Sequence, residues 1–363
     1  MRIREMYSPI RRNILIVTLI TSTLLFQNCS ETIQNEEPNH VNEEITDNSD
    51  NYLNYEGKDD VLSGGVKMIP ISTEKGEFNV WTKRIGNNPT TKVLLLHGGP
   101  GATHEYFECF DSYFPNADIE YYYYDQLESA FSDQPSDSAL WNIDRFVEEV
   151  EQVRVALGLN KDNFYLLGHS WGGILGIEYA LKYQDNLKGL IISNMVASIP
   201  EYITYANEVL GPQLDSAVLA EIRELEEKED YANPRYDELV VMNYYPKHVL
   251  RMPLEQWPDP VNRAFANINA EMYVTMQGPS EFGVVGDAKL KKWDRKADLK
   301  NLSVPTLAIG SRYDTMDPEA MKWMSEEVQN GTYLYCPQGS HMSMYDDQKV
   351  YFDGLIQFIK GID

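Results

Sequence analysis

The residues that most constrain this chain are Gly168-His169-Ser170-Trp171-Gly172-Gly173. A short apolar segment, 163–167, precedes them, and a segment with helical spacing, 174–183, follows. Gly-x-Ser-x-Gly at a strand-to-helix junction is a strained turn that lifts a serine hydroxyl above the end of a sheet. Glycine is needed on both sides, because a side chain at 168 or 172 would collide with the tightly turned backbone. A glycine-rich turn that binds phosphate is the competing reading, but the wider dinucleotide-binding spacing of glycines is absent. Ser170 is therefore the candidate nucleophile, and the chain must build a sheet whose strands run into helices.

The rest of the sequence fits that demand. Apolar runs at 93–96, 119–124, 163–167, 188–193, 305–310 and 332–336 predict strands, and helical spacing predicts helices over 144–157, 174–183 and 348–360. Gly158 ends the first of these helices. Strands alternating with helices imply an α/β fold with a mostly parallel sheet covered on both faces. Residues 199–300 break the alternation. They are rich in Glu, Tyr, Pro and Trp without strand periodicity, so they predict a helical cap inserted into a core made of 61–198 and 301–363.

The N-terminus lies outside that fold. Arg2, Arg4, Arg11 and Arg12 precede an uncharged apolar run, 14–26, which has the length of a signal h-region and is short for a membrane span. Cys29 sits where a bacterial lipoprotein signal places the cysteine that is acylated after cleavage, although Phe26 and Asn28 stand where that signal prefers small residues. Residues 1–28 are expected to be a removed signal peptide and Cys29 the lipidation site, with plain secretion and an uncleaved anchor as alternatives. The expected location is a membrane-anchored lipoprotein on the periplasmic side or the cell surface. Residues 29–60 hold ten acids, one lysine and few large apolar side chains, which reads as an acidic flexible tether.

With 31 basic and 56 acidic side chains, the net charge of −25 repels phosphate backbones and sets nucleic acid aside as a partner. Cys109 and Cys336 are far apart in sequence; an oxidising compartment would permit a disulfide between them, but their spacing does not establish one. No cysteine or histidine cluster has metal-ligand spacing, so neither a metal nor a cofactor is expected.

A serine hydroxyl becomes a useful nucleophile only when a neighbouring base takes its proton. After a nucleophile elbow the partners follow in the order serine, acid, histidine. Only His248 and His341 lie beyond Ser170. His248 falls inside the expected cap, whereas His341 lies between the last strand and the last helix, in Gly339-Ser340-His341-Met342, and is the better base. For the acid, Asp314 follows the strand at 305–310; Asp317 is its rival, but Asp317-Pro318-Glu319 reads as a helix cap and first turn. The acid would hold the imidazole in one tautomer and stabilise the imidazolium. The oxyanion would be met by the backbone N–H of Trp171, directly after the nucleophile, and by one from the loop after the strand at 93–96, assigned to Gly99. His97 is expected to brace that loop rather than to react. With His341 as base, kcat/KM is expected to rise with an apparent pKa near the ordinary ~6.5.

His97-Gly98-Gly99-Pro100-Gly101, Asp125-Gln126 with Ser129 and Ser132-Asp133-Gln134-Pro135, the Gly-His-Ser-Trp-Gly-Gly turn, and Gly339-Ser340-His341-Met342 together resemble the prolyl aminopeptidases (proline iminopeptidases), serine peptidases of the α/β-hydrolase fold. The resemblance runs from about residue 64 to the C-terminus. Tyr231-Ala232-Asn233-Pro234 and Gly278-Pro279-Ser280-Glu281-Phe282 look like the tricorn-associated archaeal branch. It implies a triad of Ser170, Asp314 and His341, release of an N-terminal residue, preferably proline, from short peptides with a free N-terminus, and a cap glutamate, here Glu281, that binds the substrate amine. The archaeal branch has a second amine-binding glutamate directly after the triad aspartate, where this chain has Thr315. Tyr202, Tyr205, Tyr244, Tyr245, Trp257 and Tyr273 could line a pyrrolidine pocket, though packing accounts for most of them. An esterase or amidase acting on neutral acyl substrates through the same triad is the alternative function; a surface binding lipoprotein would be expected to lack a triad member, and none is missing.

Overall fold

The computed structural model describes residues 49–362. The expected signal peptide, Cys29 and most of the expected tether lie outside them. A single eight-stranded sheet runs in the order β1-β2-β4-β3-β5-β6-β7-β8. Its strands are β1 (Val66–Thr73), β2 (Gly76–Ile85), β3 (Lys92–Leu96), β4 (Glu120–Asp125), β5 (Phe164–His169), β6 (Gly189–Ser193), β7 (Thr306–Ser311) and β8 (Gly331–Cys336). From β4 to β8 all pairings are parallel, while β1–β2 and β2–β4 are antiparallel. The helices are α1 (Ser49–Tyr52), α2 (Ile143–Ala156), α3 (Trp171–Tyr183), α4 (Ile199–Tyr205), α5 (Ser216–Glu227), α6 (Pro234–Asn243), α7 (Tyr245–His248), α8 (Asp259–Ala266), α9 (Ala270–Met276), α10 (Pro318–Glu327), α11 (Ser343–Asp346) and α12 (Gln348–Lys360).

The apolar runs became the central strands because a parallel strand is covered on both faces. Every residue of β3, β5, β6 and β7 is buried. The antiparallel pair β1–β2 escaped the sequence reading. β1 is an edge strand whose buried residues, Ile69 and Ile71, alternate with exposed ones and whose Pro70 an edge position tolerates, so it offers no apolar run. Residues that touch the sheet appear before the expected end of the tether. Tyr52 is buried and its hydroxyl donates to the Ile119 carbonyl at 3.1 Å, and buried Asp60 accepts from Arg84 Nε at 2.9 Å. Tyr52 and Asp60 thus pin the last stretch of the acidic segment to the sheet, while most residues between them stay exposed or half-buried.

Residues 199–300 leave after β6 and return before β7 carrying α4 to α9. Their entry and exit are stitched together: Ile199 N–H donates to the Trp293 carbonyl at 2.9 Å, Arg295 N–H to the Ala197 carbonyl at 2.8 Å, and Ser198 Oγ to Asp294 at 2.9 Å. Cys109 and Cys336 are both free thiols, so no disulfide joins them, and burial pushes the Cys336 thiol up to about 12, far from reactive thiolate. Among the described residues no helix is long and apolar enough to cross a membrane, and no group of His, Cys, Asp or Glu is placed to hold a metal ion.

Candidate active site

Ser170 sits between β5 and α3 with φ 56° and ψ −126°, a conformation that costs a non-glycine residue roughly 1–3 kcal/mol. The surrounding glycines make it attainable. A Cβ on Gly168 would lie 1.9 Å from the Gly172 carbonyl oxygen, and one on Gly172 would lie 2.1 Å from the Leu96 carbonyl oxygen. The turn therefore presses directly on the end of β3, which brings the serine beside the Gly98-Gly99 loop.

That loop is held by a frame of named hydrogen bonds. Gln126 N–H donates to His97 Nε2 at 3.1 Å, which leaves the His97 proton on Nδ1, and Nδ1–H donates to the Gly98 carbonyl at 2.9 Å. The Gly98 carbonyl and the Gly99 N–H belong to one planar peptide and point in opposite directions. Holding the first thus aims the second away from His97. The Gln126 side chain donates to the His97 carbonyl at 3.1 Å and accepts from the Trp171 indole at 2.9 Å, so one residue ties the glycine loop to the turn after Ser170. Burial pushes His97 down to about 4, against the pull of Asp125, and keeps it a neutral brace. Gly98 N–H is already committed to Tyr106 Oη at 2.7 Å.

Asp314 and His341 meet as expected of an acid and a base, with Nδ1 to Oδ1 at 2.8 Å and both residues buried. Asp317 instead caps α10, accepting from Glu319 N–H at 2.9 Å. His248 is not brought to the serine: its Nδ1 lies 2.9 Å from the Tyr313 carbonyl, and its own carbonyl accepts from His341 N–H at 2.9 Å. Burial pulls the His341 pKa down, but the charge of Asp314, its hydrogen bond and the charge of Glu281 outweigh it and carry the imidazole above the ordinary histidine value. The acid limb expected near ~6.5 moves upward accordingly. Thr315 is fully buried, with Oγ1 3.3 Å from both Asp314 Oδ1 and His341 Nδ1. Its hydroxyl faces the acid–base pair.

Ser170, His341 and Glu281 line one cavity of about 100 Å³, together with Gly98, Gly99 and His169. At ~10–15 Å³ per water-sized site, that volume suits a single small residue. Ser170 Oγ takes no hydrogen bond from the described side chains; nucleophile–base bonds of this kind commonly tighten only around bound substrate. Glu281 is 9% exposed and is held from several sides: Tyr273 O–H donates to Oε1 at 2.5 Å, and Tyr202 O–H donates to the Glu281 carbonyl at 2.6 Å. Of the aromatics singled out as pocket candidates, Tyr245 and Tyr273 line the cavity, while Tyr202 and Tyr244 are packing residues behind it.

Asn194 escaped the sequence reading. Directly after β6, at φ 54°, it donates from Nδ2 to Asp314 Oδ2 at 2.7 Å and to the Ser340 carbonyl at 3.2 Å, so it ties acid loop to base loop. The available signal was its place: a polar residue at the carboxyl end of a central strand, level with Ser170 and Asp314.

An alpha/beta hydrolase fold family model matches residues 91–348. The proline iminopeptidase of Elizabethkingia meningoseptica is 61% identical over 296 residues, covering 82% of this chain and 98% of the relative. That of Flavobacterium johnsoniae is 59% identical over the same shares. The crystal structure of a proline iminopeptidase from Mycobacterium smegmatis is similar with a TM-score of 0.71 at 25% identity, over 82% of this chain and 98% of that one. The chain belongs to the proline iminopeptidase family of α/β hydrolases.

Proposed function

We propose that this chain is a serine aminopeptidase that releases an N-terminal residue, preferentially proline, from short peptides. The observation that carries the reading is a buried carboxylate, Glu281, lining the same small cavity as Ser170 and His341. A substrate ammonium seated on Glu281 places the adjacent carbonyl at Ser170, and a charge-assisted hydrogen bond is about twice as strong as a neutral one. Ser170 Oγ attacks that carbonyl while His341 takes its proton. Asp314 keeps the His341 proton on Nδ1 and stabilises the imidazolium. Gly99 and Trp171 N–H groups meet the oxyanion, each worth roughly 2.7–4 kcal/mol in reactions of this type. His341 then protonates the departing amine, and water repeats the sequence on the acyl-enzyme. The apolar wall, including Val241, Val249 and Phe265, suits a pyrrolidine ring, with discrimination of ~1–3 kcal/mol per methylene.

The test is a panel of aminoacyl anilides offered to the full chain, with free and N-acetylated proline side by side. The reading expects prolyl anilide to lead the panel and acetylation to abolish turnover. Equal rates with and without the acetyl group would favour a general esterase or amidase.

We further propose export and membrane anchoring through acylation of Cys29, supported by the basic N-terminus and the apolar run, 14–26, that closely precedes that cysteine. Labelling with a fatty-acid analogue should mark the wild-type chain and leave Cys29→Ser unmarked; label on both would refute it.

A further inference from the structure

Four stretches of chain meet in one run of hydrogen bonds along the wall of the Ser170 cavity. Gly98 N–H donates to Tyr106 Oη at 2.7 Å, Tyr106 Oη lies 3.1 Å from His169 Nδ1, and His169 Nε2 lies 2.8 Å from the backbone carbonyl of His341. With His169 neutral, only one arrangement of protons satisfies all three contacts. A carbonyl oxygen can only accept, so Nε2 of His169 carries that ring's proton. A neutral imidazole has one N–H, so Nδ1 is a bare acceptor and the phenol donates to it. The phenol is then free to accept from Gly98. Burial pushes His169 down to about 3, with nearby His341 acting in the same direction, and the ring stays neutral at any working pH.

Each end of the run touches a part of the site that must be placed accurately. At one end it occupies Gly98 N–H and so leaves Gly99 as the donor that the loop turns toward the oxyanion. At the other it fixes the His341 carbonyl, while His341 N–H is fixed by the His248 carbonyl at 2.9 Å. The backbone of the base is thereby gripped from the sheet on one side and from the insertion on the other. Neither Tyr106 nor His169 has a proton to give to the reaction, because each proton they hold is engaged in the run.

We propose that Tyr106 and His169 are positioning residues, whose neutral hydrogen-bond run sets the oxyanion loop and the base loop at a fixed relation to Ser170. The inference rests on the reading of Ser170 and His341 as nucleophile and base. That reading is tested separately by Ser170→Ala, which must abolish turnover without touching the run.

The experiment compares His169→Leu, His169→Gln and Tyr106→Phe in the full chain on prolyl anilide, with nitrogen-15 NMR of the wild-type histidines. Glutamine carries a donor and an acceptor that can rebuild both contacts, whereas leucine carries neither. His169→Leu should lower kcat by roughly 10- to 100-fold, the penalty of a small misplacement, with KM changed by less than about threefold. His169→Gln should recover most of that loss, and Tyr106→Phe should fall between the two. His169 should show a protonated Nε2 and a bare Nδ1 that do not titrate between pH 5 and 8. A protonated Nδ1, a titrating His169, wild-type kcat in His169→Leu, or a glutamine variant as impaired as leucine would overturn the proposal. The NMR measurement uses wild-type protein, so the proposal stays testable if the leucine variant fails to fold.

Discussion

The core loops and the inserted helical segment place their functional groups by different means. In the core, Ser170, Asp314 and His341 each sit beyond the carboxyl end of a parallel strand, and backbone geometry aims the site: a strained φ at Ser170, glycines too crowded for a Cβ, and a peptide plane fixed by His97. In the insertion, Glu281 lies in an irregular stretch after α9 and is held by side chains, the hydroxyls of Tyr273 and Tyr202 among them. The first arrangement can be written in a few residues. The second is spread over the hundred residues between β6 and β7. Under the proposed function the core carries the chemistry and the insertion recognises the amine, so damage to one should be general and damage to the other selective.

The largest effect should come from the core. Asp314→Asn, which favours the wrong His341 tautomer, should lower kcat by about 10⁴-fold on prolyl anilide and on a neutral acetyl ester alike. Steady-state kinetics on both substrates checks this, and a variant within tenfold of wild type would break the core side of the comparison. A smaller and selective effect is expected from the insertion. Glu281→Gln should cost on the order of 10²-fold in kcat/KM on prolyl anilide, as for loss of one partner of a buried charge pair, and less than about threefold on the ester. Equal losses on both substrates would erase the division between the regions.

The same division explains what could be read without coordinates. The elbow, the strands around it and the contact between Asp314 and His341 were legible, because most of the parallel strands are apolar runs and the loops after them carry the candidate residues. Asp317 was separable from Asp314 by cap chemistry alone, since Asp-Pro-Glu announces a helix start. Glu281 was not legible from physics: one glutamate in a strongly acidic chain carries no signal, and only the family resemblance singled it out. Asn194 and Tyr106 were missed because their roles exist only after folding, when residues 120 and 63 positions from their partners Asp314 and His169 become neighbours. Thr315 was read as a lost amine ligand, and its burial against the acid–base pair was hidden for the same reason.

Glu281 from the insertion and His341 from the core line one cavity. The pH dependence of kcat/KM on a neutral ester tests it directly, since Glu281 has no amine to bind there. His341 must be neutral to accept the Ser170 proton, so kcat/KM falls as pH drops through its pKa. Against the downward pull of burial, Asp314 and Glu281 hold that pKa above the ordinary value. The wild-type acid limb should therefore lie above ~6.5, and Glu281→Gln, which removes one of the upward influences, should move it to lower pH. A limb that stays in place or moves up in the variant would contradict the account.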